Sequence, residues 1–246
     1  MAVDNNIHIA RRIQHAATGL VLIIISHIIP PYPAGCLLLF LATAAFYNIH
    51  RKRVEDPTWD DWYLQNFGSL LRTHEIGEWE EVDLKNNKRR WTAIPALPGA
   101  FYFLLGVAFS TFLFPANVAR TSVLVLSISD PIAGLVGTWF TRQGNNIAWR
   151  RFLPRCNAPL EGGPSVAGSF GFAVSTILCT YVYIPSRNST RRSMMSFSSR
   201  VFIGLVSSMT EAVGGRHLPF FGTIADDNLL IPLVVGCLVC WLDSSD

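Results

Sequence analysis

One aspartate of this chain, Asp130, stands inside a long apolar stretch and is followed at once by Pro131. A carboxylate at bilayer depth costs about 3 kcal/mol or more, so it requires a cation, a hydrogen-bond network or a water-filled cavity. Pro131 has no N–H, which leaves the carbonyl of Ser127 without its helical partner beside the acid. The pair predicts a cation or metal–phosphate site. The alternative is a kinked helix whose Asp130 is merely paired with an arginine.

Other acids stand at the ends of apolar stretches rather than within them. Glu211 closes one stretch, and Asp226 and Asp227 precede the last one, next to Asn228. Carboxylates are the hard oxygen ligands that Mg²⁺ takes, with water and substrate phosphates completing its shell. Without a metal, acids crowded together would repel and raise one another's pKa. We therefore expect them to share a Mg²⁺ site with Asp130.

Glycines and arginines of the same region suit phosphate. Gly162-Gly163 and Gly168-Ser169, the latter at a predicted helix start, offer close backbone approach and N–H groups. The preceding loop adds arginines that could clamp a polyphosphate: Arg142, Arg150, Arg151 and Arg155. Acids for metal, arginines for phosphate and a lipid-facing wall together indicate phosphoryl or nucleotidyl transfer to a membrane lipid. Neither a Walker A motif nor a kinase Gly-rich loop is present.

Membrane-spanning helices must position these residues. The 246-residue chain is 50% hydrophobic and 15% charged, which excludes an ordinary soluble globule. The apolar stretches lack the two-residue alternation of β-barrel strands, so we predict an all-α, polytopic membrane protein with a single domain over 1–246. Its seven predicted spans are 16–29, 34–50, 96–114, 117–139, 165–184, 199–213 and 229–242.

The basic residues are distributed unevenly over the loops of this topology. With seven spans, 15 of the 20 lysines and arginines fall on the side that carries the N-terminus and loops 51–95, 140–164 and 214–228. The positive-inside rule places that side in the cytosol. Loop 51–95 mixes charges with four tryptophans and is predicted to be an amphipathic interfacial stretch. Because the polar clusters of four spans meet at this face, we predict a single cytosolic active site.

The order of these residues resembles the CTP-dependent lipid kinases, a family that includes dolichol kinase, phytol kinase and CTP-dependent diacylglycerol kinase. Phosphatidate cytidylyltransferase is a more distant relative. The matching motifs are Arg12-x-x-His15, Ser129-Asp130, Gly134-x-x-Gly137, Ser165-x-x-Gly168-Ser169, Glu211-Ala212 and Asp227-Asn228-Leu-x-x-Pro232-Leu233. The last motif is the most specific. Segments Leu70 to Glu75 and Leu97 to Gly106 look closest to the diacylglycerol kinase branch.

The resemblance implies transfer of the γ-phosphate of CTP to a lipid hydroxyl at the cytosolic face of the endoplasmic reticulum. The expected acceptor is diacylglycerol, and the expected cofactor is Mg²⁺ or another divalent cation. No nucleic-acid partner is expected. The implied catalytic acids are Asp130, Glu211 and Asp227, with Glu211 either base or ligand, and the metal ligands are Asp130, Asp226 and Asp227. The implied nucleotide or phosphate contacts are Gly134, Gly137, Arg150, Arg151, Arg155, Ser165, Gly168, Ser169 and Asn228. Further candidates are Arg12, His15, Arg72 and Glu75.

Two departures from the family pattern stand out. Pro164 occupies the place of the family's lysine, and Pro131 stands where a small helix former is usual. Three other functions remain open at this stage: a polyprenol acceptor such as dolichol, cytidylyl transfer to phosphatidate, and an ion or small-molecule transporter. Against transport, the acids gather at one face, whereas a transporter site is expected near the midplane.

Overall fold

The computed structural model describes residues 2–29, 31–83, 88–142, 165–183, 195–213 and 226–245. A π-helical turn, Pro31–Gly35, joins the first two helices, and a 3-10 turn, Gly68–Leu70, follows the third. The helices are α1 (Ala2–Ile28), α2 (Cys36–Glu55), α3 (Pro57–Phe67), α4 (Thr73–Ile76), α5 (Gly99–Leu113), α6 (Ala116–Arg142), α7 (Val166–Tyr183), α8 (Phe197–Val213) and α9 (Asp227–Ser245).

Four of these helices contain segments long and apolar enough to cross a membrane: Ile9–Ile28, Pro33–Glu55, Ala116–Phe140 and Val166–Tyr183. The helical architecture and the four candidate membrane spans support the prediction of an all-α, multi-pass membrane protein. Of two shorter apolar segments, Gly99–Leu113 in α5 falls within the predicted span 96–114, and Asp227–Leu242 in α9 covers the predicted span 229–242 and begins two residues before it. The predicted number of seven spans therefore remains a prediction.

A β-hairpin departs from the all-helical expectation. Strands β1 (Glu78–Asp83) and β2 (Lys88–Ala93) pair antiparallel within the segment predicted to be an amphipathic interfacial stretch. The register places Trp79 opposite Trp91 and Glu80 opposite Arg90. Trp91 Nε1 donates a hydrogen bond to the Val54 carbonyl at 2.9 Å, which ties the hairpin to the end of α2.

Helix α6 is the centre of the bundle, because it packs against α1, α5, α7 and α9. It runs through Pro131 as one helix. Its buried residues Val123 to Leu126 meet Phe172 of α7 and Ile231 of α9 in the main apolar core. Large apolar side chains of α1 and α2 point outward instead, as expected for a lipid-facing surface: Leu20, Val21, Ile24, Leu37 and Leu41.

An arginine inside the bundle closes the end of α1 that lies away from the predicted site. The carbonyl of Ser26 would pair with the N–H of residue 30, but that residue is a proline and has none. Arg120 of α6 replaces the missing donor: Nη2 donates to Ser26 O at 2.7 Å and Nε to Ser26 Oγ at 2.9 Å. Arg120 thus acts as a side-chain cap of α1.

Candidate active site

The aspartate within α6 faces a histidine of α1. His15 Nε2 lies 3.8 Å from Asp130 Oδ2, and the two side chains are 14% and 32% exposed. Phe103 packs edge-on against the imidazole, with ring centroids 4.7 Å apart. Nε2 is buried and lacks a hydrogen-bond partner among the described residues. At 3.8 Å the two groups are too far apart for a direct hydrogen bond, and a small polar group lying beside the pair could contact both atoms.

The acids at the start of α9 are held by the helix terminus itself. Asp226 Oδ1 accepts hydrogen bonds from the Asn228 N–H at 3.0 Å and from Asn228 Nδ2 at 2.9 Å. Asp227 Oδ1 accepts from the same Asn228 N–H at 2.9 Å. Carboxylates are favoured here because the first N–H groups of a helix lack intrahelical partners. Burial raises the pKa of Asp226 to about 7, and the neighbouring Asp227 carboxylate adds to the rise.

Arg72 stands opposite these acids. Its guanidinium nitrogens lie 3.8 Å from both Asp226 Oδ2 and Asp227 Oδ1, and 3.9 Å from Glu75 Oε1. Glu75 is 2% exposed. Its carboxylate accepts the N–H of Arg72 and the N–H of Gly99, each at 2.9 Å. Glu75 therefore fixes the Arg72 backbone to the first turn of α5.

A buried ion pair contacts the backbone of Glu75. Arg53 of α2 and Asp60 of α3 are both 0% exposed, and Arg53 Nε donates to Asp60 Oδ1 at 2.8 Å. Arg53 also donates to the Glu75 carbonyl at 3.3 and 3.4 Å, and its guanidinium lies 4.4 Å from the centre of the Tyr63 ring. The pair joins α2, α3 and the segment that carries Arg72, so it positions that segment against the bundle.

Three of these acids, Asp130, Asp226 and Asp227, form a cluster that we call the acidic centre. Asp130 is close enough to interact electrostatically with Asp227, and also with Arg72, Arg11 and His15. Helices α1, α6 and α9 and the Arg72 segment thus converge at the acidic centre, whereas the predicted meeting involved the starts of α7 and α9 and the ends of α6 and α8. Arg11 was missed by the sequence analysis. Its position four residues before His15, on the same face of α1, was the available signal.

A second cluster joins α7 to α8. Ser165 Oγ accepts the N–H of Gly168 at 3.0 Å, the usual arrangement of a helix N-cap. Ser169 Oγ donates to Glu211 Oε2 at 3.3 Å, and Ser208 Oγ donates to the Ser169 carbonyl at 2.9 Å. The structure therefore places Glu211 beside Ser169. Both were predicted to contact substrate, and the contacts seen here tie the two helices together.

The glycines of α6 permit close approach of side chains from the neighbouring helices. A Cβ added at Gly134 would lie 2.6 Å from Arg12 Nε, so the Arg12 side chain crosses α6 at this point. Arg12 Nη2 continues to Thr138 Oγ1 at 3.1 Å. A Cβ at Gly137 would lie 2.7 Å from Ser165 Oγ, so this glycine admits the start of α7. Such small residues are typical of helix packing in membranes.

The acidic centre is better suited to a cation that binds together with substrate phosphates than to a metal ion held by protein ligands alone. Among the described residues, no three His, Cys, Asp or Glu side chains form a group that could hold a metal ion. Mg²⁺ is commonly bound by one or two carboxylates plus substrate phosphates, and adjacent Asp226 and Asp227 offer such a pair. Three predicted phosphate contacts lie outside the described residues: Arg150, Arg151 and Arg155. Pro164, which stands in place of the family's lysine, also lies outside them.

Comparison with known proteins agrees with the resemblance to CTP-dependent lipid kinases. The chain is 25% identical over 244 residues to CTP-dependent diacylglycerol kinase 1 of Schizosaccharomyces pombe, covering 94% of this chain and 91% of that protein. It is 26% identical over 208 residues to an uncharacterized protein of Rickettsia prowazekii, covering 82% and 79%. No family model matches the chain, and no solved structure matches it. The similarity over nearly the whole length supports the CTP-dependent lipid kinase family.

Proposed function

We propose that this chain, as a relative of the CTP-dependent lipid kinases, transfers the γ-phosphate of CTP to the hydroxyl group of diacylglycerol and forms phosphatidate. The observation that carries the proposal is the acidic centre: the carboxylate of Asp130, within a membrane span, interacts electrostatically with Asp227 at the start of α9 and with Arg72. An acid at membrane depth reaches a lipid hydroxyl, and the acids of α9 reach a nucleotide from the aqueous side. The near full-length similarity to a CTP-dependent diacylglycerol kinase supports the choice of substrates.

The acceptor hydroxyl is proposed to bind beside His15 and Asp130. A hydroxyl there would contact His15 Nε2, which lacks a hydrogen-bond partner among the described residues, and donate to Asp130 Oδ2. As the hydroxyl oxygen bonds to the γ-phosphorus, its proton passes to the Asp130 carboxylate, and the bond from phosphorus to the β-phosphate oxygen breaks to release CDP. A positioned base of this kind typically contributes about 10²–10⁴-fold to the rate.

The triphosphate is proposed to bind over the start of α9. Asp226 and Asp227 would hold Mg²⁺, with Asn228 fixing the position of both carboxylates. When bound, Mg²⁺ neutralises phosphate charge and orients the reacting group. Arg72 and Arg11, which interact electrostatically with Asp227, would neutralise charge that develops on the phosphate oxygens. Glu211 is proposed to keep the start of α7 in place through Ser169.

The proposal includes an orientation and a compartment. The distribution of basic residues supports placing the acidic centre at the cytosolic face. A multi-pass protein that makes phosphatidate from a membrane lipid fits the endoplasmic reticulum membrane. Accessibility labelling of single cysteines in loop 51–95 of sealed microsomes tests the orientation: labelling from outside is expected, and labelling only after permeabilisation would contradict it.

Purified protein in detergent micelles with diacylglycerol and Mg²⁺ tests the reaction. Label in the γ-phosphate of CTP should appear in phosphatidate, and label in the α-phosphate should not. Transfer of the α-phosphate label to lipid would instead indicate cytidylyl transfer. Preference for dolichol over diacylglycerol in the same assay would replace the acceptor.

The variant Asp130→Asn tests the site. It keeps the side-chain volume and removes the base, so we expect a loss of about 10²-fold or more. Glu78→Gln, an exposed acid of the hairpin, is the matched control and should keep wild-type activity. Undiminished turnover by a folded Asp130→Asn variant would exclude the proposed role of Asp130.

A further inference from the structure

A cavity lies within the apolar part of the bundle, away from the acidic centre. Its volume is about 330 Å³, and its walls come from α1, α2, α5 and α6. Each helix contributes apolar side chains to an almost entirely apolar lining, for example Leu22, Leu38, Val107 and Val123. Its size falls at the lower end of the range for small-molecule sites, about 300–1,000 Å³.

The packing of the four helices explains where the cavity arises. Among the described residues, α1 packs against α6 and α2 packs against α5, while α1 and α2 make few contacts with each other. The cavity occupies the space between these two helix pairs. The neighbouring surfaces of α1 and α2 expose Ile25 and Leu38, with 40% and 53% of each residue accessible. A hydrocarbon chain in the surrounding lipid could therefore enter between α1 and α2 without crossing polar surface.

The cavity lies along the same helices that carry the proposed acceptor site. Leu22 follows His15 on α1 by seven residues, and Val123 precedes Asp130 on α6 by seven residues. At 1.5 Å per residue, the near wall lies about 10 Å from His15 along α1 and about 10 Å from Asp130 along α6. Arg120, ten residues from Asp130, is a polar part of the wall about 15 Å from that acid, and the lining continues one turn further to Ala116.

The wall from Val123 to Arg120 lies at the depth that the acyl chains of one leaflet reach. The hydrocarbon core of a bilayer is about 30 Å thick, so the chains of one leaflet extend about 15 Å. A lipid whose hydroxyl contacts Asp130 would place the middle and end of a long acyl chain beside these walls. A short acyl chain would end before reaching them.

We infer that the cavity between α1, α2, α5 and α6 receives an acyl chain of the lipid whose hydroxyl group binds at Asp130. The inference rests on the proposed function, because that function supplies the lipid acceptor. It adds that the protein selects acceptors by chain length, through walls that contact only the distal part of the chain.

Filling the cavity tests the inference. Ala42 of α2 lines it, and Ala45 lies one turn away on the exposed surface of the same helix. In Ala42→Phe, KM for dioleoylglycerol should rise at least about tenfold relative to KM for dihexanoylglycerol, the discrimination expected from a change of shape in an apolar pocket. Ala45→Phe, with the same added volume, should leave this ratio at the wild-type value. Equal ratios in the two folded variants would overturn the inference.

A binding measurement separates this inference from the proposed reaction. A diacylglycerol with a photoactivatable diazirine at the end of one acyl chain should label wall residues of the cavity in Asp130→Asn as well as in the wild type. Ala42→Phe should suppress that labelling and Ala45→Phe should retain it. If no lipid is phosphorylated but labelling follows this pattern, the proposed reaction fails and the lipid-chain site stands. Labelling spread over the outer surfaces of the bundle would refute the site itself.

Discussion

The carboxylate of Glu75 offers the sharpest test of how the site is positioned, because both of its oxygens are used and the side chain is 2% exposed. One oxygen accepts the N–H of Arg72 and the other that of Gly99, each at 2.9 Å. Glutamine at this position has the same shape but a single acceptor oxygen. In Glu75→Gln, one backbone N–H therefore faces the NH₂ group of the amide and loses its partner.

The size of the effect follows from these contacts. A hydrogen bond to a charged acceptor contributes about 1.5–3 kcal/mol, and a buried donor left unsatisfied costs about 1–3 kcal/mol. Since the two estimates describe overlapping losses, we expect a destabilisation of about 2–4 kcal/mol. For a chain of this size, that lowers the melting temperature by roughly 5–15 °C. KM for CTP should also rise, because Glu75 anchors the segment that carries Arg72.

Thermal unfolding in detergent, followed by tryptophan fluorescence, measures the first effect, and CTP titration at saturating diacylglycerol measures the second. Glu78→Gln is the control, because Glu78 is exposed and surface substitutions usually change stability by less than about 0.5 kcal/mol. If Glu75→Gln unfolds at the control temperature and binds CTP equally well, then Glu75 does not hold Arg72 and α5 together.

Three further perturbations test other parts of the structure. Asp60→Asn leaves the guanidinium of Arg53 buried without its counter-charge and should cost about 3–5 kcal/mol of unfolding free energy, measured by thermal melts. Gly106→Ala should destabilise by about 1–3 kcal/mol, because its Cβ would lie 2.5 Å from the backbone oxygen of Asn228 on α9. Burial raises the pKa of Asp226 to about 7, so protons compete with Mg²⁺ below that pH. The Mg²⁺ concentration for half-maximal activity should therefore fall as the pH rises through 7.

Each of these predictions has a matched comparison. Arg51→Gln removes an exposed ion pair, Arg51 with Glu55 at 3.2 Å, and should change stability by no more than about 1 kcal/mol. Gly68→Ala adds a Cβ whose nearest neighbour is 3.9 Å away and should be tolerated. Asp226→Asn cannot titrate, so its Mg²⁺ requirement should lose the pH dependence. The reasoning fails wherever a test variant and its comparison behave alike.

Sequence alone predicted the membrane class, the helical bundle and four acids at one site, of which Asp130, Asp226 and Asp227 form the acidic centre and Glu211 contacts Ser169 instead. Composition and the length of the apolar stretches predict the membrane class and the helical bundle, because in lipid only helices and closed β-barrels satisfy all backbone hydrogen bonds. Asp130 was identifiable because a carboxylate is costly at membrane depth, and Asp226, Asp227 and Asn228 because they precede an apolar helix. The order of the motifs also indicated His15 and Arg72 as candidate site residues.

Tertiary structure decided which of these residues lie together. The sequence grouped Glu211 and Ser169 with the substrate contacts, whereas the fold joins them to each other and uses Gly134 and Gly137 for close packing of α1 and α7. It also revealed that Glu75 ties Arg72 to Gly99, which lies 24 residues further along the chain. Such pairings depend on which helix faces meet. Local propensity and hydropathy act within one segment, so they determine that a helix forms and do not determine its partner.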